Sequence, residues 1–335
     1  MVLRPFHCLI VAYLKIFIES YIPYLENVAK SIIPGISRED ILEIFFPLPP
    51  LAEQRRIVAR LGELMPLIDA YDAEERRLSA LETEFPEQLR RSLLQYAVEG
   101  KLVEQRPGEG TAKELLLEIA SERERLIREG KMKRSKPLAP VSPDEVPFEI
   151  PESWEWVRLG DLLISTDAGK SPNCETQPTV GNSWGVIKTT AIQKNRFEES
   201  ENKILPNDFL INESYIIHQG DVLITRAGPR NRTGVTCCVD ILTKNLILSD
   251  KTIRLKPFPK TISSHFLSMV MNSDAVQNDL SKKFVGMAPS QVNISQENIR
   301  NVFFPLPPLA EQRRIVARLE ELMPLVDTLE TMNHP

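Results

Sequence analysis

The segment FFPLPPLAEQRRIVARL stands at Phe45–Leu61 and again, letter for letter, at Phe303–Leu319. An identity of this length at two distant places is not chance, and its reading decides the fold. Pro49-Pro50 marks a helix start, because the missing proline N–H falls among donors that a first helical turn leaves unpaired anyway. The likeness extends in both directions. ISREDILEI (Ile36–Ile44) runs in step with ISQENIRNV (Ile294–Val302), and ELMPLID (Glu63–Asp69) with ELMPLVD (Glu321–Asp327). After a short gap, RPF (Arg4–Phe6) sits like KPF (Lys256–Phe258), and YLKIFIES (Tyr13–Ser20) like FLSMVMNS (Phe266–Ser273). The repeated unit is the tail of a domain followed by a helix. Its period far exceeds the roughly 20–50 residues of solenoid repeats, so tandem domain duplication is the simpler account. The first copy lacks most of its domain and the second most of its helix.

After the first copy, Ile57, Leu61, Leu64, Ile68, Tyr71, Leu78, Phe85 and Leu89 follow an alternating three-and-four spacing. That is the seam a coiled-coil pairing requires, so these side chains are the expected subunit or helix interface. Glu75 and Glu82 interrupt the seam, and Pro66 and Pro86 are each expected to kink or break the helix. Leu51–Tyr96 would span on the order of 70 Å as a helix, which is the length of a spacer and not of a domain core. A second helix is expected over Ala112–Glu129, with Leu115, Leu116, Ile119, Leu126 and Ile127 on one side and Thr111 as cap. KMKRSKPLAPVSPDEVPFEIPES then reads as an extended, semi-rigid linker.

From Trp154 the character changes. WEWVRLGDLL, GVIKTTAI, DVLITRAG, GVTCCVDIL and KTIRLKPF are short β-rich runs separated by Gly, Asn, Asp and Pro. His265–Asn272 and Ala275–Lys283 look helical, and GMAPSQVNIS (Gly286–Ser295) reads as a polar loop leading into the second copy. The fold class is therefore α+β: a β-rich domain joined to long helical spacers that form coiled coils. The expected divisions are a domain remnant over 1–44, a helical spacer over 45–130, a Pro-rich linker over 131–150, a complete domain over 151–302 and the start of a second spacer over 303–335.

Composition bounds the function classes. The 335 residues leave room for about two domains, and 42% hydrophobic with 26% charged residues is a globular balance. A formal net charge of -5 argues against a uniformly basic coat protein and leaves local patches open. Cys8, Cys174, Cys237 and Cys238 form no C-x-x-C pair and have no His at ligand spacing, so they read as reduced, cytoplasmic residues with no metal. CLIVAYLKIFI (Cys8–Ile18) is interrupted by Lys15, precedes no small-residue cleavage site and is short of the ~20 apolar residues that cross a bilayer, so no membrane segment is expected.

These motifs resemble a known family. FPLPPLAEQRRIVARL followed by LRRSLLQYAVEGKL (Leu89–Leu102) is similar to the conserved spacer of type I restriction–modification specificity subunits. IPESWEWVRLGDLL (Ile150–Leu163), HQGDVLITRAG (His218–Gly228) and SQVNIS (Ser290–Ser295) resemble parts of one of their target recognition domains. The resemblance implies alternating recognition domains and helical spacers, each domain reading one half of a split DNA target and the two spacers pairing as an antiparallel coil. It also implies a non-catalytic chain that positions methyltransferase and endonuclease subunits, with S-adenosylmethionine, ATP and Mg2+ on those partners. This chain resembles a truncated or half-length form. It either reads a half-site or pairs through its spacer helices with a second copy to rebuild both halves. A DNA-independent coiled-coil adaptor and an inactive remnant are the remaining alternatives.

The residues speak to DNA independently. Val222–Lys260 carries eight Lys or Arg against two acids, in an acidic protein. Its loop RAGPRNRTG (Arg226–Gly234) is the sharpest candidate: Arg226, Arg230 and Arg232 can fork a guanine, and Asn231 can pair with an adenine. The same loop is also readable as a solvated hairpin tip. Lys170 and Ser171 could touch a phosphate, but GKS is no nucleotide loop, because Ile164 stands where the motif needs glycine. Lys188 and Thr189 after a strand, Lys251, and Ser290, Gln291 and Asn293 could contact DNA or merely cap turns. Trp154 and Trp156 read as packing residues, EQRR and EERR as solvated helix faces, and His7, His218, His265 and His334 as structural. No methyltransferase, Walker A, G-x-S-x-G or HExxH motif is present.

Overall fold

A computed structural model describes residues 7, 9–28, 41 and 43–332. Cys8, RPF, most of ISREDILEI and His334 lie outside the described residues, as does much of the expected 1–44 remnant. The chain divides into two compact units, Met1–Glu84 and Phe85–Pro335.

In the first unit, helix α1 (Val11–Val28) packs on the start of the first repeat. Tyr13 and Phe17 meet Phe46 edge-on, with ring centroids 5.7 and 4.7 Å apart. Gln54, fully buried, accepts from the Ile10 amide at 2.9 Å and donates to the Pro49 carbonyl at 2.8 Å. Helix α2 runs unbroken over Leu51–Val98. The expected break at Pro66 and Pro86 does not occur: the carbonyls one turn back belong to the exposed residues Gly62 and Glu82, where water can replace the missing N–H. Along the seam Ile57, Leu61, Leu64 and Leu89 are half-buried. Ile68, Tyr71, Leu78 and Phe85 are 50–73% exposed, so nothing among the described residues covers that stretch.

In the second unit, α2 ends at Gly100 (φ +70°). Lys101 N–H reaches the Tyr96 carbonyl at 2.9 Å and Gly100 N–H the Ala97 carbonyl at 3.4 Å, the paired bonds of a left-handed helix cap. Any side chain there would also strike Pro151. Helix α3 (Ala112–Arg128) has the expected Thr111 cap, completed as a capping box by Glu114. Its Leu115, Ile119 and Leu126 are buried in one core with Ala97, Trp154, Phe258, Phe266 and Phe304. Thus α3 is not part of a free-standing spacer; its apolar face is wide enough to need the domain beside it.

The linker also lies against the domain. Arg158, nearly buried, donates to the carbonyls of Ala139 and Asn301 at 3.0 Å and pairs with Glu145 at 2.6 Å. The guanidinium, together with the Ser142 amide, holds the Glu145 carboxyl down at about 2. Trp156 fills the space between Phe148 and Phe303.

The β-rich domain is built on an antiparallel four-stranded sheet in the order Leu163–Ala168, Thr252–Pro257, Val222–Thr225, Thr236–Cys238. A three-stranded sheet sets Trp184–Ile187 between Asn245–Ile247, parallel, and Asn202–Ile204, antiparallel. Helices α4 (Ser264–Met271), α5 (Asp274–Lys282) and α6 (Gln296–Arg300) follow, and α4 contributes Phe266, Leu267 and Val270 to the core. The domain closes on itself: Glu155–Arg158 pairs antiparallel with Phe303–Leu306, the opening residues of the second repeat.

Helix α7 (Leu309–Met332) then returns along Phe85–Val98 of α2. Arg90 bridges Asp327 at 2.6 Å and Glu330 at 3.0 Å, while farther along Arg314 meets Glu109 at 2.7 Å. Leu94 lines one cavity with Val316, Leu319 and Met323, so rising numbers on α7 meet falling numbers on α2 and the two pieces run antiparallel. The start of α7 repeats the arrangement at α2. Gln312, fully buried, accepts from the Ser263 amide at 2.9 Å and donates to the Pro307 and Thr261 carbonyls at 3.0 and 3.3 Å. Among the described residues no helix is long and apolar enough to cross a membrane.

Gln312→Ala strips three backbone groups of their partner. We expect it to lower the unfolding free energy of the Phe85–Pro335 unit by about 3 kcal/mol in urea titration, at the upper end for one buried polar side chain. A loss below about 1 kcal/mol would mean that this amide does not hold the junction.

Candidate nucleic-acid interface

Two segments far apart in sequence form one surface. The stretch expected to be a polar loop is instead a hairpin, Val285–Ala288 with Gln291–Asn293, whose second strand adds Ala227–Gly228 as a third. Backbone bonds tie the pieces together: Ile294 N–H to the Arg226 carbonyl at 2.8 Å, and Arg230 N–H to the Pro289 carbonyl at 3.0 Å. Sequence reading missed these strands because they are short and glycine-bearing, and their third member is distant in sequence, so alternation carries little signal. The hairpin exposes Ser290, Gln291 and Asn293 beside the exposed Asn231.

The three arginines of the loop separate. Arg226 is half-buried, and its side chain makes no hydrogen bond or ion pair with the described residues. Arg230 is exposed, lies over the Phe284 ring at 5.6 Å and donates to the Ser281 carbonyl at 3.2 Å. Arg232 points inward. Its guanidinium donates to Gln193 Oε1 at 2.9 Å and to the Thr189 and Ile192 carbonyls at 3.2 Å. The expectation that Arg232 forks a guanine is therefore corrected: all its outer nitrogens are spoken for, and it braces the Thr189 turn from behind.

That turn lines a second feature. A cleft of about 490 Å³ is walled by Ser171, Lys188, Thr189, Lys203 and Lys251 together with Asp250. Four of these residues were expected as DNA contacts on separate segments, and the three-stranded sheet gathers them. Arg226 joins this cleft to the hairpin, since its amide donates to the Lys251 carbonyl at 2.9 Å. Lys203 escaped sequence reading because its short strand, Asn202–Ile204, carries no alternation to mark it. Not every candidate is free. Ser171 donates to Asp250, which leaves a carboxylate where a phosphate would sit, and Lys188 faces Glu201 at 3.6 Å. Lys170 is exposed and lines a neighbouring cavity with Pro172 and Asp208. Gly169 beside it has a structural reason: an added Cβ would lie 1.9 Å from the Leu248 carbonyl oxygen.

The basic count over Val222–Lys260 also divides. Arg254 is 7% exposed and neutralised by Asp167 at 2.8 Å and Asp221 at 3.2 Å. It belongs to the sheet and not to the surface. Trp154, 3% exposed, donates its indole N–H to Glu311 at 3.0 Å, as befits packing.

The division between brace and surface arginine is testable without DNA. We expect Arg232→Ala to destabilise the chain by about 2 kcal/mol, as loss of charged hydrogen bonds does. Arg226→Ala should stay within about 0.5 kcal/mol. Thermal melting of both variants decides; equal losses would refute the division.

The arrangement is set beside known proteins as follows. The family described as Type I restriction modification DNA specificity domain matches residues 151–334. The Type I restriction enzyme EcoEI specificity subunit of Escherichia coli is 39% identical over 323 residues, covering 85% of this chain and 54% of that protein. The EcoAI specificity subunit, also of Escherichia coli, is 30% identical over 325 residues with the same coverage. This chain thus spans about half the length of the curated relatives it matches. Among solved structures, the HsdS subunit from Thermoanaerobacter tengcongensis aligns with 93% of this chain and 62% of its own at a TM-score of 0.44 and 25% identity. The match of a family model to more than half of the residues, with relatives of this similarity, establishes that the chain belongs to the type I restriction–modification DNA specificity family.

Proposed function

We propose that this chain binds double-stranded DNA and reads one half of a split target, without catalysing a reaction. The supporting observation is the convergence of Arg226, Asn231, Ser290, Gln291 and Asn293 on one hairpin edge, beside a cleft carrying Lys188, Lys203 and Lys251. In this reading Arg226, Asn231, Gln291 and Asn293 face base edges, Lys188, Lys251, Lys170 and Arg230 meet phosphates, and Arg232 keeps the surface in shape. Helices α2 and α7 act as spacers that dock methyltransferase and endonuclease subunits in the cytoplasm. S-adenosylmethionine, ATP and Mg2+ act on those partners.

With the methyltransferase present, Arg226→Ala combined with Asn231→Ala should abolish sequence preference in a DNA shift assay, each good base contact being worth about 1–3 kcal/mol. Lys188→Ala with Lys251→Ala should leave preference intact and flatten the salt dependence by about two units in log–log slope. Preference unchanged in the first variant sinks the base-reading assignment. Binding indifferent to salt in the wild type would favour a DNA-independent adaptor.

A second reading is that two copies associate to rebuild both halves. It is favoured by a specific contrast between the repeats. Phe303 and Glu311 are buried, 7% and 2% exposed, whereas the identical Phe45 is 95% exposed and Glu53 is exposed too. Together with the uncovered Ile68, Tyr71 and Leu78, this is apolar surface of the kind a partner helix covers. Sedimentation of the isolated chain should show a dimer; a monomer at every concentration tested removes this reading.

A further inference from the structure

The fold assembles a cluster that lies apart from the proposed DNA face. Cys238 ends the strand Thr236–Cys238, Asp240 follows it, and His265 sits in the first turn of α4. One ligand atom from each lies within 4.8 Å of the others, and His265 Nε2 is 2.7 Å from Asp240 Oδ1. Sequence reading saw no histidine at ligand spacing from any cysteine; the partner comes from beyond two intervening strands, where spacing rules do not look.

We propose that Cys238, Asp240 and His265 bind a zinc ion. Three observations converge. First, thiolate, imidazole and carboxylate are the donors zinc takes, and a tetrahedral ion with bonds of about 2.0–2.3 Å holds such donors roughly 3.3–3.8 Å apart. To reach that range the His–Asp contact opens by about half an ångström, while any pair near the 4.8 Å limit closes by about 1 Å. Second, thiolate and carboxylate supply two negative charges beside a neutral imidazole, which matches a divalent ion. Sulfur and nitrogen together disfavour Mg2+ and Ca2+. Third, the cluster opens on a cavity of about 360 Å³ whose charged walls, besides Asp240 and His265, are Glu320 and Asp327. No Lys or Arg is among its lining residues, and of the two added carboxylates Asp327 is paired with Arg90 at 2.6 Å. The cavity leaves a fourth position for water.

Zinc takes the sulfur as thiolate, so the thiol proton passes to solvent as the Zn–S bond forms, with no change of oxidation state. Bound there, zinc ties the end of one strand to the first turn of α4, close to the Gln312 junction that α4 shares with α7.

The test is metal binding by the full chain. Cobalt titration should produce a thiolate-to-cobalt charge-transfer band, absent in Cys238→Ser and kept in Cys174→Ser. Zinc affinity, read by competition with a chromogenic chelator, should fall at least about tenfold in His265→Ala and in Asp240→Asn, both at exposed positions that leave the fold intact. A cobalt spectrum without the thiolate band, or zinc affinity unchanged in the His265 and Asp240 variants, overturns the proposal even if Cys238→Ser fails to fold. Neither readout depends on DNA, so the outcome is separable from the proposed target reading.

Discussion

The pairing of Glu155–Arg158 with Phe303–Leu306 closes the β-rich domain, and most of the second unit depends on it. It joins the first strand of the domain to its last, so the chain enters and leaves at one place. The junction is sealed by side chains from both sides: Trp154 donates to Glu311, and Gln105, just past the end of α2, reaches the same carboxylate. A buried carboxylate with two donors is tolerable where an unpaired one is not. Burial still pushes the Glu311 carboxyl upward, and its two hydrogen bonds pull the other way. The close meeting of chain ends is what lets α2 and α7 lie antiparallel without a long connection.

How much of this was legible in the sequence varies by the kind of signal. The helices were plain, because apolar spacing over many turns is a strong pattern, and Thr111 caps α3 as expected. The prolines of α2 misled, since a local penalty gives way where the freed carbonyls can turn to water. The boundary of the domain was misjudged at its near side. Nothing in Ala112–Arg128 alone says that its apolar face belongs to Trp154, Phe258 and Phe304; that is tertiary information. At the proposed interface, residue types singled out segments that the fold brings together, but not which arginine would turn inward. Arg226 and Arg232 sit in the same short loop with opposite roles, and only the position of Gln193 and of two carbonyls separates them.

Charge placement follows the same logic. An acidic protein can present a basic face if its buried cations are neutralised by its own carboxylates, and Arg254 between Asp167 and Asp221 does this inside the sheet. Arg158 does so at the linker with Glu145. The cleft that holds Lys188, Lys203 and Lys251 also holds Asp250, and Glu201 faces Lys188 at 3.6 Å, so its local potential is set by both signs of charge.

The duplicated segment offers a comparison that few proteins contain. Phe303–Leu306 is a strand inside a closed domain, and Phe45–Leu48 is the same peptide with no strand partner among the described residues. Intrinsic amide exchange chemistry is identical for Phe46 and Phe304 and for Leu48 and Leu306, because it depends on neighbouring side chains that are the same at those positions. Any difference in their deuterium uptake therefore measures the protection conferred by the fold alone, with the peptide as its own reference.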